Sequence, residues 1–260
     1  DDNLSVNLES LHNFRKLQVF ISDSPAWKVS KFNLKNLVSG GRRGGEKMLR
    51  ECLTVLKDNG YDSLLRKYPC HTAGNPYMYR FSGFQYTFRW FKHIYFLGLL
   101  KQHLGSILRK DSVCLDIGSS YGIFSSLAKQ EFPESHHVLV DFPEQLILAY
   151  YFLKTCLPHA RIAGIQEISE QEPITREFIE KYDFVLIPCS LYQRLSPRSV
   201  DLVTNFASLG EMSRKWFNDY LNSPSFLTAQ YFFTANRVQS YPTYDTDLTI
   251  LDYPVWDPAK

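Results

Sequence analysis

An acid and a run of small residues follow one another near the middle of the chain. Residues 113–117 are typical of a buried strand, residues 118–122 predict a tight turn, and the apolar residues that follow predict a helix. A strand that enters a helix through such a turn leaves free backbone N–H groups and the positive end of a helix dipole at one point. This arrangement receives a nucleotide-like ligand.

A second acid stands at the end of the next predicted strand. Residues 137–141 repeat the strand pattern and end on Asp141, about twenty residues beyond the turn. In nucleoside-binding folds, an acid at this place accepts hydrogen bonds from ribose hydroxyls. Together these elements predict a dinucleotide- or nucleoside-binding half-fold.

The turn has the form Asp-x-Gly-x-Ser-x-Gly. It resembles the D/E-x-G-x-G-x-G motif of class I S-adenosylmethionine-dependent methyltransferases, with Ser120 in place of the middle glycine. The resemblance implies S-adenosyl-L-methionine as the cofactor, Asp116 near its ammonium group and Asp141 at its ribose. The cofactor-binding residues it predicts are Asp116, Gly118, Ser119, Ser120, Gly122, Asp141 and Phe142.

The same turn also spells Gly-x-Ser-x-Gly, the nucleophile elbow of α/β-hydrolases. Such a hydrolase needs a histidine late in the chain, but His159 is the last one here. The first 110 residues also lack the strands that precede an elbow. A serine hydrolase with Ser120 as nucleophile is therefore an alternative, as is a non-catalytic S-adenosylmethionine-binding module.

Polar side chains also follow a predicted strand at residues 200–205. Asn205, Ser208 and Glu211 stand at or just beyond its end, where parallel sheets bind their ligands. The same residue types are typical of helix caps and of acids in the first turn of a helix. The two roles are compatible.

Several segments together resemble bacterial sugar O-methyltransferases over roughly residues 70–240. They are residues 115–122, 140–144, 185–188 and 201–205 with Ser208, Glu211 and Met212, preceded by 74–76, Tyr86, Arg89 and His93. The resemblance implies methyl transfer from S-adenosylmethionine to a hydroxyl of a sugar or glycoconjugate.

Methyl transfer to a hydroxyl needs correct positioning of the acceptor and a group that takes its proton. We predict Glu211 or His93 as this base, with Asn205 and Ser208 orienting the acceptor. His93 lies among aromatic residues of a helix predicted at 88–108, where a core histidine is the other interpretation. No cluster has the spacing of a metal site, so no metal is predicted and metal dependence stays open.

The chain divides into two patterns. Residues 1–110 predict a mainly helical region that forms a lid or binds the acceptor, with a glycine-rich loop at 39–45. Residues 111–260 alternate strands and helices, which predicts an α/β, Rossmann-like, mostly parallel sheet. The predicted strands are residues 113–117, 137–141, 161–165, 183–187, 200–205 and 230–235, and a helix is predicted at about 210–221. The aromatic residues at 77–86 offer stacking faces for sugar rings or pack the helical region.

Composition narrows the class of protein. The 260 residues are 44% hydrophobic and 22% charged, with a net charge of +2, and no basic stripe indicates nucleic acid. Five scattered cysteines are typical of a reduced, cytoplasmic chain, and the most apolar window is too short to span a membrane. We expect a small-molecule or glycan acceptor as the partner, and the sequence does not indicate the oligomeric state.

Overall fold

The computed structural model describes residues 8–17, 41–81, 84–106, 108, 110–240 and 247–254. The chain divides into two compact units. The first takes in residues 1–107 with 126–128 and 151–158, and the second takes in 108–125, 129–150 and 159–260. The sequence-based division at residue 110 did not assign residues 126–128 and 151–158 to the first unit.

The described part of the first unit is mainly helical. Its elements are α1 (Leu8–Leu17), α2 (Gly41–Asp58), α3 (Asp62–Lys67), β1 (Tyr79–Phe81), β2 (Phe84–Tyr86) and α4 (Phe88–Leu104). Helix α4 begins at Phe88 because the side chain of Thr87 accepts a hydrogen bond from Trp90 N, 3.1 Å away. The strands β1 and β2 pair in antiparallel fashion within the aromatic segment.

The glycine-rich segment differs from its prediction. Residues 41–45 were expected in a loop, but they form the start of α2. The amphipathic residues 48–57 form a helix. Adding residues to the end of an existing helix costs little free energy, because each added residue gains a backbone hydrogen bond. This gain outweighs the low helix propensity of the glycines here. Residues 39 and 40 lie outside the described residues.

The second unit contains a six-stranded sheet. Its strands are β3 (Val113–Ile117), β4 (His136–Asp141), β5 (Ile162–Ala163), β6 (Phe184–Pro188), β7 (Leu202–Phe206) and β8 (Tyr231–Ala235). They are all parallel and lie in the order β5-β6-β4-β3-β7-β8. The prediction of an α/β, Rossmann-like parallel sheet is therefore confirmed.

Helices connect these strands. They are α5 (Ile123–Glu131), α6 (Pro143–Cys156), α7 (Ile165–Ser169), α8 (Arg176–Ile179), α9 (Arg214–Leu221) and α10 (Pro224–Leu227). The helix predicted at 210–221 is split into a 3-10 turn at Leu209–Glu211 and α9. Ser213 causes the interruption, because its side chain caps α9 by accepting from Trp216 N.

The centre of the sheet is apolar on both faces. Every residue of β3 and β6 is buried, and the core includes Leu115, Val138 and Val185. Continuous burial is typical of parallel strands that are covered on both sides. This core gives a rigid base to the loops at the carboxyl ends of the strands.

An ion pair fixes the opposite end of the sheet. Asp201, just before β7, accepts from Val113 N at 2.8 Å and from both terminal nitrogens of Arg176 at 2.9 Å. The start of β3 and the start of β7 are thus held side by side, as their ladder requires. In the described part of the chain, no helix has the length and apolar character needed to cross a membrane.

Candidate functional site

A cavity of about 580 Å³ opens at the carboxyl ends of the strands in the second unit. Its walls come from the loops that follow β3, β4, β6 and β7, and from the start of α9. The chain leaves β3 toward β4 on one side, whereas β7 pairs with β3 on the other. Parallel α/β sheets bind ligands in the crevice at such a reversal of strand order.

The turn after β3 forms the floor of the cavity. Gly118, Ser120 and Gly122 have φ values of +71°, +52° and +78°, so every second residue is left-handed. The N–H groups of Gly118 and Ser119 donate to Val140 O at 2.8 and 3.3 Å. The turn is thereby attached to the end of β4.

Gly118 is required at its position for two reasons. Its positive φ strains any residue with a Cβ atom. A Cβ atom there would also lie 1.9 Å from Ser208 Oγ and 2.4 Å from Ser208 Cβ. The turn after β3 and the loop after β7 therefore touch at Gly118.

Asp141 joins the turn to the loop after β4. Its Oδ2 accepts from Ser120 N at 2.6 Å, and its Oδ1 accepts from Phe142 N at 2.7 Å. Burial raises the pKa of Asp141 to about 6, against the lowering effect of these two bonds. Each carboxylate oxygen has a second lone pair with which to accept from a ligand hydroxyl at the cavity.

Asp116 lies beneath the turn, outside the residues that line the cavity. The side chain is buried, and it accepts from Thr204 Oγ1 at 3.0 Å and Ser125 Oγ at 3.3 Å. Burial raises the pKa of this carboxyl to about 7, although the two hydroxyl bonds lower it. Its place in the described structure is that of a buried acid supporting the turn.

The three polar residues around the end of β7 take different positions. Asn205 is completely buried, and its Nδ2 donates to Ile117 O at 2.6 Å. Ser208 and Glu211 line the cavity, and Glu211 Oε1 accepts from Arg237 Nη1 at 2.8 Å. Asn205 therefore anchors the cavity wall, whereas Ser208 and Glu211 can contact a ligand.

His93 belongs to the other unit. It is buried in α4, and its Nδ1 lies 2.7 Å from Arg89 O, to which it donates. Burial lowers the pKa of His93 to about 3, so the imidazole is neutral near pH 7 and a weak base.

Several functional residues were missed by the sequence reasoning. Trp216 and Tyr220 of α9 and Cys189 line the cavity, and Trp216 is 46% exposed. Asn236 and Arg237, which follow β8, contact the loop after β7. In parallel sheets, ligand-binding side chains follow the ends of the strands, and this rule applies to β8 as well. It could have identified Asn236 and Arg237 from the sequence.

The residues at the turn fit a nucleoside-type cofactor. Ser119 Oγ is buried and has no hydrogen-bond partner within the described part of the chain, so a polar ligand atom or a water would satisfy it. Asp141 supplies acceptors and the neighbouring Phe142, 65% exposed, supplies an aromatic face. Within the described residues, no group of three or more His, Cys, Asp or Glu could hold a metal ion.

The arrangement around Ser120 lacks the base of a serine hydrolase. The histidines in the same unit are His136, His137 and His159. The first two begin β4, at the opposite end of the sheet from Ser120, and His137 Nε2 is bonded to Ser135 Oγ at 2.9 Å. His159 precedes β5, also at the amino ends of the strands.

Comparison with known proteins finds similar folds only at low identity. No family model and no curated protein matches the chain. Mitomycin 7-O-methyltransferase aligns at 11% identity with a TM-score of 0.34, over 59% of this chain and 40% of that one. An O-methyltransferase family 2 protein from Planctomyces limnophilus, in complex with apigenin, aligns at 14% identity with a TM-score of 0.30, over 51% and 37%.

A third similar structure is PKMT2 from Rickettsia typhi in complex with AdoHcy. It aligns at 14% identity with a TM-score of 0.30, over 44% of this chain and 18% of that one. The chain thus spans less than half the length of each of these three proteins.

We expect Gly118→Ala to destabilise the fold by about 3 kcal/mol, from left-handed strain plus the overlap with Ser208. Gly60→Ala is the matched control, since Gly60 has φ +73° and nothing near its would-be Cβ, so we expect about 1 kcal/mol there. Urea unfolding measures both. The double variant Gly118→Ala/Ser208→Gly should recover part of the free energy of unfolding that Gly118→Ala loses. If the changes in the free energy of unfolding caused by the two substitutions were simply additive, the contact between these residues would be refuted.

We expect the contribution of Asp116 to the free energy of unfolding to fall as pH rises from about 4 to about 7, whereas buried His93, with its lowered pKa, acts in the opposite direction. The unfolded chain ionises Asp116 near 3.8, whereas the folded chain holds the proton to about 7. The unfolded state therefore binds fewer protons over this interval, and the free energy of unfolding drops by up to about 1.4 kcal/mol per pH unit for this group. Asp141 acts in the same direction up to about 6.

Urea unfolding at several pH values tests this assignment. Asp116→Asn should make the slope of the unfolding free energy against pH more positive than in the wild type, because the amide does not titrate. The exposed Asp58→Asn should keep the wild-type slope. Equal slopes in Asp116→Asn and the wild type would show that Asp116 is ionised throughout.

Proposed function

We propose that this protein is a class I S-adenosylmethionine-dependent O-methyltransferase that acts on a hydroxyl of a sugar or glycoconjugate. The observation that carries the proposal is the link between the turn after β3 and Asp141. Ser120 N is held 2.6 Å from Asp141 Oδ2 at the floor of a cavity, where the strand order reverses. The resemblance of the turn to the methyltransferase motif selects the cofactor.

The cofactor would occupy the part of the cavity that lies next to its floor and to the loop after β4. Asp141 would accept from the ribose hydroxyls, and Phe142 would cover the base with its exposed ring. The turn from Gly118 to Gly122 would let the backbone approach the rest of the ligand. When bound, S-adenosylmethionine supplies a methyl group that its sulfonium has already activated.

The acceptor end is the wall formed by the loop after β7 and by α9. Glu211, Ser208 and Trp216 line it. Among the described residues that line the cavity there are two carboxylates and neither Lys nor Arg, which disfavours a polyanion such as nucleic acid. An exposed indole beside hydroxyl and carboxylate groups suits the apolar face and the hydroxyl edge of a sugar ring.

The chain's own contribution to the reaction is positioning and proton removal. Ser208 orients the acceptor hydroxyl, and Glu211 accepts the proton that this oxygen loses as its new bond to carbon forms. Arg237 holds Glu211 Oε1, which leaves Oε2 to face the acceptor. His93 stays a second candidate base from the sequence, but its buried, carbonyl-bonded imidazole favours Glu211.

Calorimetric titration with S-adenosylhomocysteine tests the cofactor half of the proposal. We expect micromolar binding to the wild type and a loss of at least tenfold in Asp141→Ala, because the ribose acceptor and the support of the turn are both removed. The control is Asp219→Ala, a carboxylate on α9 that bonds Lys215 away from the turn. Absence of binding to the wild type would overturn the assignment, and covalent labelling of Ser120 by a fluorophosphonate would then indicate a hydrolase.

Turnover with a panel of sugar acceptors tests the other half of the proposal, which is methyl transfer to the acceptor. We expect Glu211→Gln to lower kcat by about 10²–10⁴-fold while S-adenosylhomocysteine still binds, since only proton removal is lost. The exposed Glu170→Gln should match the wild type. Cofactor binding without turnover on any acceptor would favour a non-catalytic binding module, and full turnover in Glu211→Gln would exclude Glu211 as the base.

A further inference from the structure

Three loops are joined by two asparagine side chains beneath the cavity wall. Asn205 Nδ2 donates to Ile117 O at 2.6 Å, and its Oδ1 accepts from Leu209 N at 3.2 Å. Asn236, which follows β8, donates from Nδ2 to the same Oδ1 at 2.6 Å. The ends of β3, β7 and β8 therefore meet at one amide.

Backbone groups fix the direction of this chain of hydrogen bonds. Gly210 N can only donate, and it points at Asn236 Oδ1 at 3.4 Å. The Nδ2 of Asn236 must then face Asn205 Oδ1, where Leu209 N also donates. At the far end Ile117 O can only accept, so Asn205 must present Nδ2 to it.

Backbone bonds and packing also hold this wall, since Ala207 N donates to Ala235 O at 3.0 Å, Ser240 Oγ donates to Gly210 O, and Leu209 is fully buried in the core. Ala207 has φ +56°, an uncommon conformation for alanine, and it leads directly to Ser208. Ser208 in turn lies against Gly118 on the cavity floor. The two amides thus add to the bonds that set where Ser208 and Glu211 stand relative to the floor.

We propose that Asn236 is a positioning residue, which holds the wall at residues 207–211 in place by donating a hydrogen bond to Asn205. The proposal adds to the proposed function a residue that touches neither cofactor nor acceptor. It depends on the donor character of Nδ2 rather than on the size of the side chain. An aspartate at this position fails while it is ionised and works again once it is protonated.

Hydrogen exchange measured by NMR tests this dependence without any ligand. In Asn236→Asp we expect the protection factors of the Leu209 and Gly210 amides to fall at least tenfold at pH 8, because a carboxylate cannot donate to Asn205 Oδ1. At pH 4, close to the ordinary pKa of an aspartate near 3.9, the difference from the wild type should shrink, since the protonated acid donates again. Asn236→Ala should lose protection at both pH values, and Leu115 should stay protected in every variant.

The matched control is Asn218→Asp, which makes the same change at an exposed site on α9 and should leave Leu209 and Gly210 unaffected at both pH values. Wild-type protection in Asn236→Asp at pH 8 would overturn the proposal. An equal loss at pH 4 and pH 8 would also overturn it, because a purely steric role has no pH dependence.

Titration of the same variants with S-adenosylhomocysteine separates this proposal from the proposed function. If the wild type binds none while the exchange pattern holds, the proposed function is wrong and the positioning role stands. If the wild type binds and Asn236→Asp weakens binding or turnover more at pH 8 than at pH 4, both are supported.

Discussion

The carboxylate of Asp141 accepts one backbone N–H from the turn after β3 and one from the loop after β4. Ser120 can keep its left-handed conformation because its N–H has this partner. Without the carboxylate, that N–H would lose its bond and the strain at φ +52° would lack its main compensation. The shape of the cavity floor therefore depends on a side chain that also lines the cavity.

The wall opposite depends on a similar arrangement made from amides instead of an acid. Asn205 is fully buried and uses both ends of its side chain, one on β3 and one on the loop after β7. A buried amide with satisfied donors and acceptors specifies one arrangement of its neighbours, because any flip leaves polar groups unpaired. Floor and wall meet where Ser208 lies against Gly118.

Much of the fold could be predicted from the sequence. All six strands of the sheet were predicted, each within two residues of its observed bounds, because parallel strands in a buried sheet are continuous apolar runs. The order of the strands was not predicted. β6 lies between β4 and β5, and a local pattern carries no information on which strands pair.

Only part of the candidate site could be predicted, because local sequence patterns do not show which distant segments meet. Local spacing identified Gly118 and Asp141, since the motif lies within two consecutive strand–loop units. It did not reveal that Asp116 faces Thr204 and Ser125 beneath the turn, because this depends on pairing with a strand far along the chain. Asn236 was missed because its role exists only through its contact with Asn205.

The protons held by the two buried acids have a thermodynamic consequence for ligand binding. Burial keeps part of the Asp141 and Asp116 population protonated near neutral pH. A cationic ligand that enters the cavity favours the ionised carboxylates, so its association releases protons to the solvent. The heat of binding then includes the ionisation heat of the buffer, and the affinity for a cation increases with pH until both acids are charged.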